Sequence, residues 1–248
     1  MRGGLFAHSR SVISGPTAGR IWGLRCVPSD HRIHVLAPPH SHPTVEPWVV
    51  PYRTQAFHSA DVVHRADGIV VTGRQRTALD LSRHVGATDL LSIIEQVIRD
   101  GRLSDADLRA TATDWISPRR RWIRRFLEVL DDRLHGGPAE SHGEVVLGEA
   151  LRAAGVQGLE RQYRIDLPGY GPARFDLAAP DVRLAIEVDI HPTHFESNGQ
   201  RRDGARDVAA RGIDWQVARV VSQDLGAVLP ATVRRLVCEI RNLRSALR

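Results

Sequence analysis

Lysine is missing from this chain altogether: all 34 basic side chains among its 248 residues are arginine. That absence excludes a lysine nucleophile, a lysine general base and any lysine–phosphate contact. Cysteine is nearly absent too. Cys26 and Cys238 are far apart in sequence and form no metal-ligand spacing, so they read as two reduced, buried thiols. No apolar run approaches the roughly 20 residues that a membrane span needs. The opening stretch, residues 1–14, carries Arg2 and a broken apolar pattern, unlike a signal peptide. The expectation is a cytoplasmic protein that does not engage a membrane.

What is present is ordinary in bulk and unusual in charge. The chain is 42% hydrophobic and 25% charged, and its length suits one large domain or two small ones. Its net charge is +5, carried entirely by groups that do not titrate below about pH 12. Arginine pairs phosphates bidentately, which points toward nucleic acid. Genomic base composition is a second source of the same bias.

The expected fold class is α/β (α+β overall), in two parts. In the first, residues 18–24 read as a short helix and 32–37 alternate like a strand. Residues 38–51 hold five prolines and read as loop, with Val49-Val50 and residues 68–72 as further short strands. Helices are expected at 77–83 and 89–99, the second stopped by Gly101, with Ser104 as the next N-cap. His31, His34, His40 and His42 cluster here without a fixed ligand spacing, and read as loop histidines rather than a metal site.

Residues 117–126 interleave Arg119, Arg120, Arg121, Arg124 and Arg125 with Trp122 and Phe126 at the start of a helix running to about residue 134. This is either a phosphate-binding face or a solvated helix surface whose aromatic side packs inward. His135-Gly136-Gly137-Pro138 reads as the linker, dividing the chain into 1–135 and 139–248.

The second part is expected as helix 139–154, strands 159–165, 173–178 and 184–189, helix 200–211, strand 215–221 and a final helix to about 247. That order suits a sheet covered by helices on both faces. Two of its strands carry acids among apolar neighbours. Asp176 lies in Arg174-Phe175-Asp176-Leu177, and Glu187 and Asp189 lie two apart in Leu184-Ala185-Ile186-Glu187-Val188-Asp189, hence on one strand face. Carboxylates gathered in an apolar setting repel unless protons or a cation intervene. A hard divalent ion such as Mg²⁺ takes oxygen ligands and activates water for attack on phosphate. The competing reading is a surface-facing acid pair plus a capping aspartate.

The run Arg174-Phe175-Asp176, Glu187-Val188-Asp189, His194, Arg202-Asp203-Gly204-Ala205-Arg206-Asp207 and Trp215 to Arg219 resembles an actinobacterial domain family. That family is related to the very-short-patch-repair endonucleases, within the PD-(D/E)XK superfamily. The likeness covers residues 139–225 and includes Glu140-Ser141 before the first helix. It implies a restriction-endonuclease-like sheet and a site for Mg²⁺ or Mn²⁺ held by Asp176, Glu187 and Asp189, with Glu140 supporting from the first helix or capping it.

In that scheme Asp189 stands where better-known members have lysine, His194 is a general acid or base, and Arg202 and Arg206 orient the site and touch phosphate. Arg119, Arg120, Arg121 and Arg124 lie outside the likeness and are nucleic-acid contacts only on the phosphate-face reading of their helix. Ile190 and His191 replace the family's glycine and tryptophan beside the acid pair.

The first part resembles the antitoxin-like region of AbiEi-type abortive-infection proteins. The matching pieces are Ser14-Gly15-Pro16-Thr17-Ala18, Ile21-Trp22-Gly23-Leu24, Ile33-His34-Val35, residues 68–72 and Arg76-Thr77-Ala78-Leu79-Asp80-Leu81. Relatives carry a winged helix ahead of this region, and the residues preceding it here are too few for one. The likeness implies a cognate toxin as partner. Two functions follow as expectations: a Mg²⁺-dependent DNA endonuclease, or an antitoxin-like regulatory protein whose degenerate nuclease fold binds DNA or a toxin.

Overall fold

In the computed structural model the described residues are 11–37, 46–54, 58–115, 120–189 and 197–247, with the side chains of 197–203 excepted. They contain two mixed five-stranded sheets and eight α-helices, an α/β fold in two compact units, residues 1–133 and 134–248. Among the described residues no helix is long and apolar enough to cross a membrane.

In the first unit the elements are β1 (Val12–Ile13), α1 (Gly15–Ile21), β2 (Ile33–Ala37), β3 (Val49–Arg53), β4 (Val62–His64), β5 (Val70–Thr72), α2 (Arg74–Leu81), α3 (Ala87–Gly101), α4 (Asp105–Thr113) and α5 (Arg121–Asp131). The sheet order is β3-β2-β1-β5-β4. β3 runs through Pro51 and so extends past the stretch expected as loop. Helix α3 is buried on more than one side. Besides Leu90, Ile93, Ile94 and Val97 it buries Glu95, whose carboxylate is held by Arg133 Nε at 2.8 Å. It ends at Gly101, and the left-handed conformation that caps it is taken by Arg102 at φ 50°. Ser104 caps α4 in a capping box with Asp107, as its spacing anticipates.

Arg76 is fully buried between Asp61 (2.8 Å) and Asp80 (3.2 Å), with its guanidinium over Trp115. His34 is not a loop histidine. It is buried in β2, bonded to Asp30 at 2.9 Å and stacked on Tyr52, while His40 and His42 lie outside the described residues.

The second unit runs β6 (His135–Gly136), α6 (His142–Ala153), β7 (Glu160–Leu167), β8 (Gly171–Ala179), β9 (Leu184–Asp189), α7 (Ser197–Arg211), β10 (Gln216–Val221) and α8 (Leu229–Ala246). Its sheet order is β10-β9-β8-β7-β6, with β7, β8 and β9 antiparallel and β10 parallel to β9.

Period-two alternation sends Leu184, Ile186 and Val188 to one face, where Leu147 and Leu151 of α6 and Val233, Leu236 and Ile240 of α8 cover them. Phe175, Ala178 and Ala185 face the other way, packed with Trp215 and with Ala210 of α7.

The glycine stretch expected as linker behaves differently. His135 and Gly136 pair with Glu160 and Arg161 as the sheet's edge strand. Gly136 has φ 109°, and a Cβ there would sit 1.9 Å from the Arg161 carbonyl oxygen. Only glycine permits so close an approach. The cysteines also depart from expectation: Cys26 is half-buried and Cys238, on α8, is exposed.

Candidate functional site

The acids meet where β8 and β9 stop pairing regularly. Their ladder runs from Ala179↔Leu184 to Leu177↔Ile186. Two residues further along β9, the Val188 amide donates to Asp176 Oδ2 at 2.8 Å instead of to a strand carbonyl. The side chain of Asp176 therefore replaces a rung of the sheet and is fixed beside β9. Glu187, only 7% exposed, projects to the α7 face. There Arg206 Nη2 lies 3.1 Å from Glu187 Oε1, and the Arg206 guanidinium sits over the Phe175 ring.

The arginine is close but not aligned as a donor: Oε1 is buried and has no hydrogen-bond partner among the described residues. Asp189, at the strand end, is nearly half exposed. Its neighbour is Arg219 at 3.6 Å, which also pairs with Asp207 at 2.7 Å.

Two further residues belong to this cluster and were not anticipated. Glu144 on α6 is 2% exposed. Its Oε2 accepts from Gln162 Nε2 at 2.7 Å and from the Glu140 amide at 3.1 Å. Gln162 sits inside β7 at φ 50°, a left-handed residue in a strand. That twist breaks the alternation and turns its side chain toward Glu144 and Asp176. Glu144 reads from sequence as a helix-start acid three residues after the Ser141 cap, and Ser141 Oγ does accept its amide at 3.1 Å. A carboxylate one helical turn beyond Glu140 was the available signal. Nothing local to Gln162 announces a positive φ.

The electrostatics follow from this crowding. Burial, then the neighbouring Asp176 charge, pushes Glu187 up to about 8, against relief from Arg206 and Arg219. Burial raises Asp176 above the usual carboxylate range. The Val188 amide opposes that shift, and the charges of Glu140 and Asp189 add to it. Glu144 is likewise raised, first by burial and then by Asp176. Two buried carboxylates and one half-buried one thus hold protons more tightly than free ones do, as a cluster short of positive charge must.

The remaining expected residues distribute as follows. Glu140 pairs with Arg174 at 2.8 Å, with both side chains almost half exposed, so it stands at the rim. Arg206 points into the acids rather than to solvent. Arg121 and Arg124 lie on the exposed side of α5, while Phe126 is buried and Trp122 lies under Arg83. The aromatic and cationic sides of that helix are therefore separate. Arg120 packs against Trp115. His194 and Arg119 lie outside the described residues, as does the side chain of Arg202.

The donor set is all carboxylate oxygen, which fits a hard divalent cation such as Mg²⁺ or Mn²⁺, and Glu187 Oε1, which accepts no hydrogen bond among the described residues, offers it a ligand. The expected three-acid cage is not closed, however. Among the described residues Asp176, Glu187 and Asp189 do not bring ligand oxygens all within 4.8 Å of one another. Mutual repulsion and the pull of Arg219 on Asp189 account for the spread.

No protein-family model matches the chain. It is 25% identical over 163 residues to the uncharacterized proteins Rv2248 and MT2308 of Mycobacterium tuberculosis, covering 66% of this chain. The chain spans 59% of the length of these relatives. The crystal structure of RV2827C protein from Mycobacterium tuberculosis aligns with a TM-score of 0.39 at 16% identity, over 58% of this chain and 55% of that one.

Proposed function

We propose that the second unit is a phosphodiesterase domain that cuts DNA with Mg²⁺ or Mn²⁺, in a cytoplasmic protein. One observation carries this reading: Glu187 and Glu144 are buried and Asp176 half-buried together at one break in a sheet, and their proton affinities are raised in common. A fold does not need such a group, because each buried carboxylate costs stability unless neutralised. An ion there would supply an activated water and charge neutralisation for in-line attack on phosphate.

In this reading Asp176 and Glu187 hold the ion. The Val188 amide fixes the Asp176 carboxylate, and Gln162 orients Glu144 toward it. Asp189, at the open strand end, faces the entering substrate. Arg206 balances Glu187 until the ion arrives.

A second reading draws on the position of Arg206. A guanidinium 3.1 Å from Glu187 is an internal counter-cation, and it would serve a degenerate site that binds DNA or a cognate toxin without cleaving. Purified full-length protein with Mg²⁺ or Mn²⁺ on single- and double-stranded DNA separates the two, beside Asp176→Ala and Glu187→Ala. Metal-dependent cleavage lost in both variants supports the enzyme. Salt-sensitive binding without cleavage on either substrate supports the degenerate site. Cleavage that survives both substitutions refutes the assignment of the site.

A further inference from the structure

The β7–β8 hairpin carries a charge arrangement that its fold does not require. Arg164 and Arg174 are partners directly opposite each other across the two strands, and both are exposed. Like charges in that position destabilise a sheet. Among the described residues Arg174 forms its ion pair with Glu140, and the two members are nearly half exposed. Such a pair contributes little and exchanges readily. Arg164 makes no ion pair among the described residues.

The two arginines line an open groove of about 590 Å³ with Ile165, Asp166, Pro172 and Ala173. At the hairpin tip the Tyr170 amide donates to the Leu167 carbonyl at 3.0 Å, and Gly169 has φ 76°. That is the pattern of a type II turn with proline at its second position. Tyr170 beside it is 38% exposed.

We propose that this hairpin is a finger that holds a DNA strand, with Arg164 and Arg174 gripping its phosphodiester backbone and Tyr170 stacking on a base. Arginine presents a planar fork of donors to phosphate, and an exposed aromatic ring accepts any base face. The assignment rests on the phosphodiesterase reading for its direction. Arg174 stands two residues before Asp176 on β8, roughly 7 Å along the strand, and Tyr170 roughly 20 Å away. A strand lying on the hairpin therefore leads toward the acids. Among the described residues that line the groove Asp166 is the one acid, so the backbone tracks along the arginine side.

The test is fluorescence anisotropy of full-length protein with a labelled oligonucleotide, single-stranded in one arm and duplex in the other. It is run in EDTA across a potassium chloride series. Arg164→Gln and Arg174→Gln should each weaken binding several-fold. Each should flatten the slope of log affinity against log salt by about 0.7 on single strands, or about 0.9 on duplex. The arm that responds identifies the strand state. Tyr170→Ala should weaken binding about tenfold with the slope unchanged, because stacking releases no counterion.

Arg241→Gln, on the exposed side of α8, is the control and should change neither affinity nor slope. The Arg164→Gln melting temperature should equal or exceed that of the parent, since a repulsion is removed. The proposal is overturned if Arg164→Gln keeps the parental slope, if Arg241→Gln flattens it equally, or if the parent binds neither DNA. Cleavage that requires Asp176 beside unaltered binding by the hairpin variants sinks the finger and leaves the phosphodiesterase. Hairpin-dependent binding without cleavage does the reverse.

Discussion

Replacing Glu187 by glutamine removes the most strained charge in the second unit while keeping its shape. Burial and the Asp176 charge move its pKa from 4.5 to about 8. At roughly 1.36 kcal/mol per unit, ionising it in the fold is disfavoured by about 5 kcal/mol relative to the unfolded chain. The sign follows from proton binding. The folded state holds this proton more tightly, so the contribution of Glu187 to stability is full below about pH 4.5. It drains away as pH rises, and levels off above about pH 8. Glutamine stays neutral throughout.

Local relaxation and water entry reduce the full figure, and the expected difference between parent and Glu187→Gln is about 2 kcal/mol across that window. Losing a partner for Arg206 shifts the variant's curve by a constant, so the readout is the pH slope rather than the absolute value. Urea unfolding followed by circular dichroism at several values between about pH 5 and pH 8 measures it. Adding Mg²⁺ at about pH 8 should stabilise the parent and leave the variant unchanged. Parallel curves for the two proteins across the window would refute the reasoning.

Other outcomes follow from single contacts. At the proposed site Mg²⁺ affinity should rise with pH up to about 8 and then level, because an ion held there would displace the Glu187 proton. Calorimetry in two buffers of different ionisation enthalpy reads that release. Gly136→Ala should destabilise the second unit by about 3 kcal/mol or more, since its Cβ would collide with the Arg161 carbonyl, whereas a linker glycine would tolerate alanine. Gln162→Ala should cost about 2 kcal/mol through the lost bond to Glu144. Gln162→Gly should cost less, because glycine accepts φ 50° freely, which reverses the usual order in a strand. Phe175→Ala, at a fully buried ring stacked near Trp215, should cost about 3 to 5 kcal/mol in denaturant melts.

Periodicity alone located most of the elements that position the acids. Alternation in residues 184–189 placed β9 at its observed bounds and put Glu187 and Asp189 on one face. Alternation in residues 173–178 found most of β8. These are local properties: a strand with one face against α6 and α8 must repeat apolar residues at every second position.

What sequence could not supply was anything set by approach between segments. Gly136 looks like a linker until the Arg161 carbonyl is beside it, and β1 is too short at two residues to register as a strand without its neighbours. Arg206 is expected from the resemblance to touch phosphate from a polar helix. Only the packing of α7 against the sheet turns it onto Glu187. Gln162 and Glu144 join the acids because one residue of β7 adopts a left-handed conformation that its neighbours in the fold impose. The sequence by itself determined which strands carry carboxylates and how each is framed by apolar residues. The tertiary structure decided which charges face one another, because burial and Coulomb forces depend on distances that no sequence spacing encodes.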